Sequence, residues 1–540
     1  MEVDMNENTR LMLALGLTIL VLLLWNTLFP PPQQITQYNA TKKMGRSQSS
    51  NQIKKESNTV SIPNQTNLNY SYSKGETITI ETPYYIAKVN SQGGIFEEFE
   101  LTRYKNSIKP DSKNVCLITK NIMEKGPLGI LLNYNPTWKL AKWEYSGSSA
   151  KLSKNDSTTL TFKTQFEGTL ISRKLTFYGN SYKIEEELAV YNTSNHPLAG
   201  ILGVCIAAPS DTKHSSRFNK KQVVYYTKEN ELEKENSKKK LGVGIEFNQP
   251  INWAGIEDNY FLLSIVPISA NYTLKAKLED GTYRVAVESK LNLPPNKGRS
   301  FKNLYYIGPK RAKYLEKLPN HLSAAINYGW LDILAKPLVI ALNFFYKYTH
   351  NYGIAIIILT IVIKILFWPL SHKSYKSMEQ MKKIQPLMQQ LKEKYKDDKQ
   401  KLNEELMRLY KTYKINPAGG CIPMLLQIPV FIALYEALLG AIELRHSPFI
   451  YHLPFTHIIW LADLSAKDPL YITPILMGVT MFLQQKMTPS AGDPTQAKLM
   501  LLMPVFLTFL FLNFPSGLVI YFITNNVLSI IQQWWMLKKN

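Results

Sequence analysis

The sequence is poor in cysteine and in charged residues. Its 540 residues include only three cysteines, Cys116, Cys205 and Cys421, too few for a disulfide framework or a structural zinc cluster. Charged residues make up 19% of the chain, below the roughly 25% of an average soluble protein. Lys and Arg number 63 against 41 Asp and Glu, which leaves a formal net charge of +22. Because 45% of the residues are hydrophobic, the composition excludes a chain that is disordered or collagen-like throughout.

The common sequence motifs of enzymes are also missing. There is no Gly-x4-Gly-Lys-Ser/Thr phosphate loop, no His-Glu-x-x-His zinc motif and no Gly-x-Ser-x-Gly nucleophile elbow. Asp and His do not cluster within the apolar segments, which argues against an intramembrane protease. We therefore expect no enzyme activity, no cofactor and no metal.

Long apolar runs occupy the start and the last third of the chain. Residues 11–29 approach the roughly 20 residues that a helix needs to cross a bilayer. Three prolines follow Phe29 where a small-x-small cleavage site would be needed, so we favour an uncleaved signal-anchor over a cleaved signal peptide. With five later segments the chain is predicted to have six transmembrane helices, the later ones being 353–370, 421–442, 470–485, 499–514 and 516–533.

The Lys and Arg content of the short loops predicts the orientation. Residues 371–420 hold twelve Lys and Arg, whereas the loop 443–469 holds two. The lysine-rich loop is therefore expected in the cytoplasm. Alternation then places the long segment 30–350 outside and three short segments inside, namely 1–10, 486–498 and 534–540.

The long external segment divides into a tether and a β-rich domain. Residues 30–75 are rich in Pro, Gln, Asn, Ser and Lys, and predict a flexible tether. Residues 76–310 contain many short strand patterns, and Gly179-Asn180 predicts a hairpin turn between two of them. We expect a large β-sandwich, with the Lys- and Glu-rich residues 217–240 as a solvated loop.

Two amphipathic regions flank the second apolar segment. In residues 320–348, four polar side chains fall on one narrow stripe, which predicts a helix in the membrane interface; a linker helix packed on the β-rich domain is the alternative. Residues 371–418 carry two apolar seams separated by a charged turn and predict an antiparallel helical hairpin. Its surplus lysines suit anionic lipid headgroups or ribosomal RNA, and a solvated face without a partner is the alternative.

Lys364 is the residue that stands out within the apolar segments. It follows Gly353 by eleven residues, which places it roughly 16 Å into the span. An isolated charge at mid-bilayer costs about 2.5–3.5 kcal/mol, so such a residue normally faces a bundle interior or a wet cavity. Snorkelling to a headgroup is the alternative. The other polar residues that we expect to line this substrate groove are Thr360, Gln427, Glu436, Tyr521, Thr524 and Asn525.

The relation between Lys364 and the third span is left open by the sequence. Counted from the outer end of that span, Glu436 is roughly 9 Å deep and Gln427 roughly 22 Å deep. Lys364 falls between these depths and could reach either side chain. For Glu436, a position near the outer interface that meets water is the alternative.

Four motifs in the last third resemble the YidC membrane-protein insertases. They are Asn-Pro-Ala-Gly-Gly-Cys-Ile-Pro at 416–423, Leu-Gln-Ile-Pro-Val-Phe-Ile-Ala-Leu-Tyr at 426–435, Asp-Pro-Leu-Tyr-Ile-Thr-Pro-Ile-Leu-Met-Gly at 468–478 and Phe-Pro-Ser-Gly-Leu-Val-Ile-Tyr at 514–521. The resemblance covers about residues 320–535. The early anchor and large external domain resemble the Gram-negative form of the family, whose periplasmic domain is a β-supersandwich.

The resemblance implies both an activity and a set of partners. Family members insert, fold and assemble inner-membrane proteins, alone or with the Sec translocon, through a hydrophilic groove formed by five helices. Expected partners are nascent membrane proteins, the Sec translocon, the ribosome transiently and anionic lipids, but not DNA, with a monomer as the active unit. The position of Lys364 matches a groove arginine of the family, so Lys is a departure, and Glu436 stands where an apolar or aromatic residue is usual.

Two other classes of protein compete with this interpretation. A solute transporter or channel would show paired helix breaks and internal repeats, and the sequence shows neither. A membrane-anchored carbohydrate-binding envelope protein would need only one anchor, which leaves five further apolar segments unexplained.

Overall fold

The computed structural model describes residues 75–210, 219–413, 422–488 and 494–539. The predicted cytoplasmic residues 1–10, the first transmembrane helix 11–29 and the tether up to residue 74 lie outside the described residues.

The β-rich domain contains strands that alternate buried and more exposed side chains, such as Thr169–Tyr178 and Lys183–Asn192, and strands that are buried on both faces, such as Ile251–Glu257 and Phe261–Pro267. Their bounds are β1 Thr77–Glu81, β2 Tyr85–Asn90, β3 Phe96–Lys105, β4 Asn114–Ile118, β5 Gly129–Leu132, β6 Asn135–Pro136, β7 Glu144–Ser146, β8 Ala150–Lys151, β9 Ser157–Phe166, β10 Thr169–Tyr178, β11 Lys183–Asn192, β12 Leu198–Pro209, β13 Gln222–Thr227, β14 Leu232–Glu235, β15 Ile245–Phe247, β16 Ile251–Glu257, β17 Phe261–Pro267, β18 Thr273–Glu279, β19 Thr282–Leu293 and β20 Gly298–Pro309.

Three sheets enclose one hydrophobic core. Their strand orders are β4-β3-β2-β1-β8, β14-β13-β16-β17-β20-β11-β10-β9-β7 and β15-β18-β19-β12-β5-β6. Buried side chains from all three sheets form a single cluster that includes Phe99, Phe162 and Val204. The predicted β-rich fold is confirmed, and Gly179-Asn180 joins the antiparallel strands β10 and β11.

The expectation of a solvated loop at 217–240 is wrong. Strands β13 and β14 pair there, and β13 also pairs with β16. Val223 and Val224 are completely buried. The burial of these apolar side chains offsets the conformational entropy lost when the charged stretch is ordered. This pairing brings Lys234 of β14 next to Glu257 at the end of β16.

The remainder of the described chain is mostly helical. The helices are α1 Thr137–Leu140, α2 Lys238–Val243, α3 Ala312–Leu315, α4 Asp332–Thr349, α5 Tyr352–Leu366, α6 Trp368–Lys394, α7 Lys399–Thr412, α8 Ile422–Gly440, α9 Ile472–Met487, α10 Pro494–Phe511 and α11 Ser516–Lys539, with 3₁₀ turns at Lys120–Lys125, Leu322–Ala325, Gly329–Leu331 and Ile442–Leu444. A short hairpin, β21 Ile450–His452 and β22 Ile459–Leu461, lies between α8 and α9.

A second hydrophobic cluster joins the long helices. It contains Leu359 of α5, Leu438 of α8, Met477 of α9 and Tyr521 of α11. Helices α9 and α10 approach closely at Gly478, where an added Cβ would lie 2.0 Å from Oγ1 of Thr508. Helices α6 and α7 pack through Met381, Ile384 and Leu409 and form their own small cluster.

Helix α5 is shorter than the predicted second span. It ends at Leu366 rather than at residue 370, and the chain bends by 62° into α6. Pro369 lies at the start of α6, the helical position that proline tolerates best. The 15 residues of α5 give a length of about 22 Å, less than the roughly 30 Å of a bilayer core.

Within the described ranges, one helical stretch is long and apolar enough to cross a membrane by itself. This stretch is Gly329–Thr349, and the bent pair α5 and α6 makes a second if it is counted as one span. The stretch Gly329–Thr349 includes α4, the helix that the sequence assigns to the membrane interface. Three polar side chains of α4 are paired: Lys336 with Asp332 at 2.6 Å, and Asn343 with the Tyr352 hydroxyl of α5 at 2.8 Å. The number of spans and the interfacial position of α4 both stay predictions.

Candidate functional site

Lys364 lies in the last turn of α5 and is half-buried. Its Nζ donates to Oγ of Ser529 at 2.6 Å and to Oδ1 of Asn525 at 3.5 Å. Both partners belong to α11 and are four residues apart, so they lie on one face of that helix. Lys364 is therefore held against α11 by two neutral oxygen atoms.

Gln427 of α8 completes this polar site. Its Nε2 donates to Oδ1 of Asn525 at 3.0 Å, so this one oxygen accepts from both Gln427 and Lys364. The Ser529 hydroxyl donates to the Asn525 carbonyl at 2.8 Å, which leaves its lone pairs for the ammonium group. We call Lys364, Gln427, Asn525 and Ser529 the polar junction, because they join α5, α8 and α11.

The polar junction contains a cation but no anion. Among the described residues, no Asp or Glu forms an ion pair with Lys364, and its hydrogen-bond partners are a hydroxyl and an amide. A partly buried charge normally has an ionic partner, because removal from water is costly. The junction thus holds a positive charge that the described part of the chain does not neutralise.

Three of the predicted groove residues, Thr360, Thr524 and Tyr521, form no hydrogen bond with Lys364, although Tyr521 is hydrogen-bonded to Gln427. The Thr360 hydroxyl donates to the Ile356 carbonyl at 2.7 Å, and the Thr524 hydroxyl donates to the Ile520 carbonyl at 2.8 Å. Such bonds to the preceding helical turn satisfy the hydroxyl within its own helix. Thr360 and Tyr521 are almost completely buried, and Tyr521 belongs to the apolar cluster between the helices.

Glu436 lies away from the polar junction. It follows Gln427 by nine residues, about two and a half helical turns, so the two side chains point to opposite faces of α8. Glu436 lines a cavity of about 250 Å³ that is also bordered by Lys234, Lys310 and Tyr328. The structure therefore does not form the ion pair with Lys364 that the sequence left open.

The same cavity is lined by a buried carboxylate, Glu257, that has two ammonium partners. Glu257 accepts from Lys310 at 2.8 Å and lies 3.1 Å from the Nζ of Lys234. Burial alone would raise the pKa of the Glu257 carboxyl, but the two lysines lower it below its ordinary value. Burial also lowers the pKa of Lys234, and the negative charge of Glu257 offsets part of this decrease.

Sequence reasoning missed several polar residues of α11. Beyond Ser529, the Asn526 amide donates to the Thr480 hydroxyl at 3.3 Å, and the Gln533 amide donates to Tyr375 at 3.1 Å and to Thr488 at 3.0 Å. The signal was present in the spacing: Asn525, Asn526, Ser529, Gln532 and Gln533 recur at intervals of one, three, three and one, as on one face of a helix.

Two family models divide almost all of the described chain between them. Residues 77–341 match the model described as the YidC periplasmic domain, and residues 344–540 match the model described as the 60Kd inner membrane protein. These models describe an inner-membrane protein with a periplasmic domain.

Similar proteins cover the chain nearly from end to end. The membrane protein insertase YidC of Maridesulfovibrio salexigens is 49% identical over 535 residues, which span 98% of this chain and 99% of that protein. The membrane protein insertase YidC of Oleidesulfovibrio alaskensis is 47% identical, with 99% and 100% covered. The crystal structure of an active YidC insertase with its first transmembrane domain resolved covers 85% of this chain and 94% of its own, at 19% identity and a TM-score of 0.36. Identity close to one half over both whole chains shows that this chain belongs to the YidC membrane protein insertase family.

Proposed function

We propose that this chain inserts and folds integral proteins of a bacterial inner membrane, and that the polar junction receives the polar part of the substrate. The observation that carries this proposal is the charge of Lys364, whose partners in the described chain are the neutral side chains of Ser529 and Asn525. A substrate carboxylate would supply the missing anion.

The junction lowers the barrier to moving a polar tail across hydrocarbon. Unsatisfied polar groups cost several kcal/mol each in a bilayer core. A site with a hydroxyl, two amides and an ammonium group offers hydrogen bonds and a counter-charge along that path. Release of the apolar segment of the substrate into lipid then makes insertion downhill without a nucleotide.

At position 364, a lysine can attract a substrate carboxylate by its charge but imposes little geometry on the way the carboxylate binds. The ammonium group has three N–H donors, and Ser529 and Asn525 account for two of them. The third remains for an incoming carboxylate. Unlike arginine, lysine lacks the planar fork that binds a carboxylate through two parallel bonds, so the site selects for charge.

The membrane arrangement belongs to this proposal. We propose six transmembrane helices, with both termini, the α6–α7 hairpin and the loop 486–498 in the cytoplasm. The β-rich domain and the loop 443–469 then lie in the periplasm. Helix α4 lies in the periplasmic interface, where Ile333, Ile340 and Phe344 present exposed apolar side chains to lipid.

Partners follow from the same arrangement. Nascent membrane proteins are the substrates, delivered by the ribosome transiently or by the Sec translocon. The exposed lysines of α6 and α7, Lys383 among them, suit ribosomal RNA and anionic lipid headgroups. We propose that the monomer is the active unit and that the activity is not enzymatic, needs no cofactor and involves no DNA.

The first prediction tests the charge at residue 364 in cells depleted of their own insertase. Substrates with translocated tails that carry increasing numbers of Asp are expressed with each variant, and protease protection of the tail measures insertion. We expect Lys364→Arg to insert the whole series, because it keeps the charge. We expect Lys364→Ala to fail progressively as Asp is added.

The matched control is Lys336→Ala, which removes a lysine of α4 that is already paired with Asp332. This variant should insert every substrate as the unchanged protein does. Equal insertion of the complete Asp series by Lys364→Ala would refute the electrostatic role of Lys364.

A further inference from the structure

The loop between α8 and α9 has an uncharged middle and charged ends. Residues 447–462 contain no Asp, Glu, Lys or Arg, although 19% of the chain is charged. The same stretch contains Phe449, Tyr451, Phe455 and Trp460. A segment that is rich in aromatic residues and has no acidic or basic residues of these four types is typical of the boundary between membrane and water.

The base of this loop is built into the helical region. Ile450 pairs with Leu461 in the β21–β22 hairpin, and Leu461 is buried in the apolar cluster between the helices. The Asn351 amide donates to the Phe449 carbonyl at 3.0 Å, and the Trp460 indole donates to Asp468 at 2.9 Å. The hairpin is thus fixed at the end of the helices where α4 turns into α5.

The tip of the hairpin carries exposed apolar side chains. Phe455 is fully exposed at 107% relative accessibility, and half of Ile458 and 40% of Tyr451 are exposed. Phe455 also has a φ of 64°, a left-handed conformation that is unfavourable for a bulky side chain. The Leu453 amide donates to the Ile458 carbonyl at 2.9 Å, so the turn is closed and holds Phe455 at its apex.

The charged ends of the loop face the β-rich domain instead. Arg445 donates to the Lys105 carbonyl at 2.7 Å. Arg445, His446, Asp463 and Ser465 line a cavity of about 200 Å³ whose other wall includes Lys221 and Tyr260 of the β-rich domain. None of the residues 450–461 lines this cavity. The loop therefore presents polar groups to protein and apolar groups elsewhere.

We propose that residues 450–461 form a membrane anchor, which places Phe455 among the headgroups and upper acyl chains of the periplasmic leaflet. The hairpin joins the exposed apolar face of α4, formed by Ile333, Ile340, Phe344 and Tyr348, through the contact of Asn351 with Phe449. Both features thus belong to the end of the helices where α4 turns into α5. The proposal rests on the membrane arrangement given under the proposed function.

The anchor explains why a full aromatic ring is exposed at a strained position. In water this ring would gain nothing, whereas burial of a Phe side chain in an apolar phase contributes about 1.5–3 kcal/mol. A lipid surface also accepts Tyr451 and Trp460, whose polar tips remain near the headgroups. Anchoring would fix the height of the α8–α9 connection relative to the bilayer, and with it the depth of the polar junction.

The test places an environment-sensitive fluorophore at the hairpin tip of the full chain. A parent with its native cysteines replaced is shown to insert substrate, and Phe455→Cys in that parent is labelled with nitrobenzoxadiazole. The protein is reconstituted in phosphatidylethanolamine–phosphatidylglycerol vesicles with and without lipid spin-labelled near the headgroup. Phe506→Cys, on an exposed apolar face of α10, is the lipid control, and Asn296→Cys, in the β19–β20 turn, is the aqueous control.

We expect the label at 455 to lose most of its fluorescence with spin-labelled lipid, like the label at 506, while the label at 296 keeps its fluorescence. We also expect Phe455→Asp to reduce the quenching of a label placed at Ile458→Cys. Fluorescence at 455 that is unchanged by spin-labelled lipid and quenched by aqueous iodide would overturn the proposal. Protection from both quenchers, increasing with protein density in the vesicle, would identify a second copy as the partner and would also overturn it.

The same vesicles separate this proposal from the proposed function. Insertion of the Asp-tail substrates is measured on the parent and on the Lys364→Ala variant in parallel. Equal insertion by the parent and Lys364→Ala would refute the role of Lys364. If spin-labelled lipid still quenched the label at 455, the proposed membrane anchor would be unaffected by that result.

Discussion

The β-rich domain and the helical region differ in the partners that they provide for a buried charge. In the β-rich domain, Arg173 and Glu186 are both completely buried and joined at 2.7 Å. The other guanidinium N–H groups reach the carbonyls of Gly93 and Gly94 and the Tyr305 hydroxyl. In the helical region, Lys364 meets only neutral partners among the described residues.

We propose that this difference separates charges that stabilise the fold from a charge that a bound substrate neutralises. A buried ion is tolerated when excellent geometry and further hydrogen bonds offset its loss of water. The Arg173–Glu186 pair meets these conditions within the chain, and Glu257 meets them with Lys310 and Lys234. Lys364 has only neutral partners among the described residues, and we propose that a substrate carboxylate supplies its missing ionic partner.

The largest effect on stability is expected when one member of the Arg173–Glu186 pair is removed. Glu186→Ala leaves a buried guanidinium without its anion, which typically destabilises a protein by about 3–5 kcal/mol. Thermal unfolding of the purified full chain, followed by limited proteolysis of the β-rich domain, measures the change. Lys364→Ala should leave this transition in place, and a larger shift for Lys364→Ala than for Glu186→Ala would reverse the comparison.

A smaller effect is expected from acid, through Glu257. Its pKa is lowered in the folded chain from an ordinary value of 4.5, so its contribution to stability is complete above that value. The contribution is lost as the pH falls through the lowered folded pKa. Stability of the β-rich domain should therefore decline below pH 4.5, and Glu257→Gln should show a flatter decline, measured by proteolysis across a pH series. Parallel pH profiles for the two proteins would contradict this assignment.

The smallest effect is expected at Glu187, the direct neighbour of Glu186. Glu187 points to the other face of β11 and meets Lys302 at 3.3 Å, with both side chains more than half exposed. Exposed ion pairs contribute about 0–1 kcal/mol. Glu187→Gln should shift unfolding little, which makes it the matched control for Glu186→Ala, and a shift as large as that of Glu186→Ala would show that the position rather than the pairing matters.

The sequence identifies Lys364 as a candidate site residue, because a single cation in an apolar run can be recognised without any knowledge of packing. It also predicts the β-rich domain and the Gly179-Asn180 turn, since alternation and turn chemistry are local. Helical periodicity alone would have separated Gln427 from Glu436, because nine residues reverse the face of a helix. The end of α5 at Leu366 was likewise signalled by Pro369.

The remaining features depend on contacts between distant parts of the chain. Lys310 and Glu257 lie 53 positions apart and meet because β20 and β16 share a sheet with β17 between them. The spacing places Ser529 and Asn525 on one face of α11, but it does not show that this face is turned toward Lys364. No local pattern fixes that rotation, which depends on how α5, α8 and α11 pack together.

The most direct test of the account reverses the charge at the polar junction and in the substrate together. Lys364→Glu is combined with two substrates whose translocated tails differ only in carrying Asp or Lys at the same positions, and protease protection measures insertion. We expect Lys364→Glu to insert the Asp-tail substrate less well and the Lys-tail substrate better than the unchanged protein does. Equal impairment of both substrates, or an unchanged preference for the Asp tail, would contradict the claim that the charge of Lys364 is completed by the substrate.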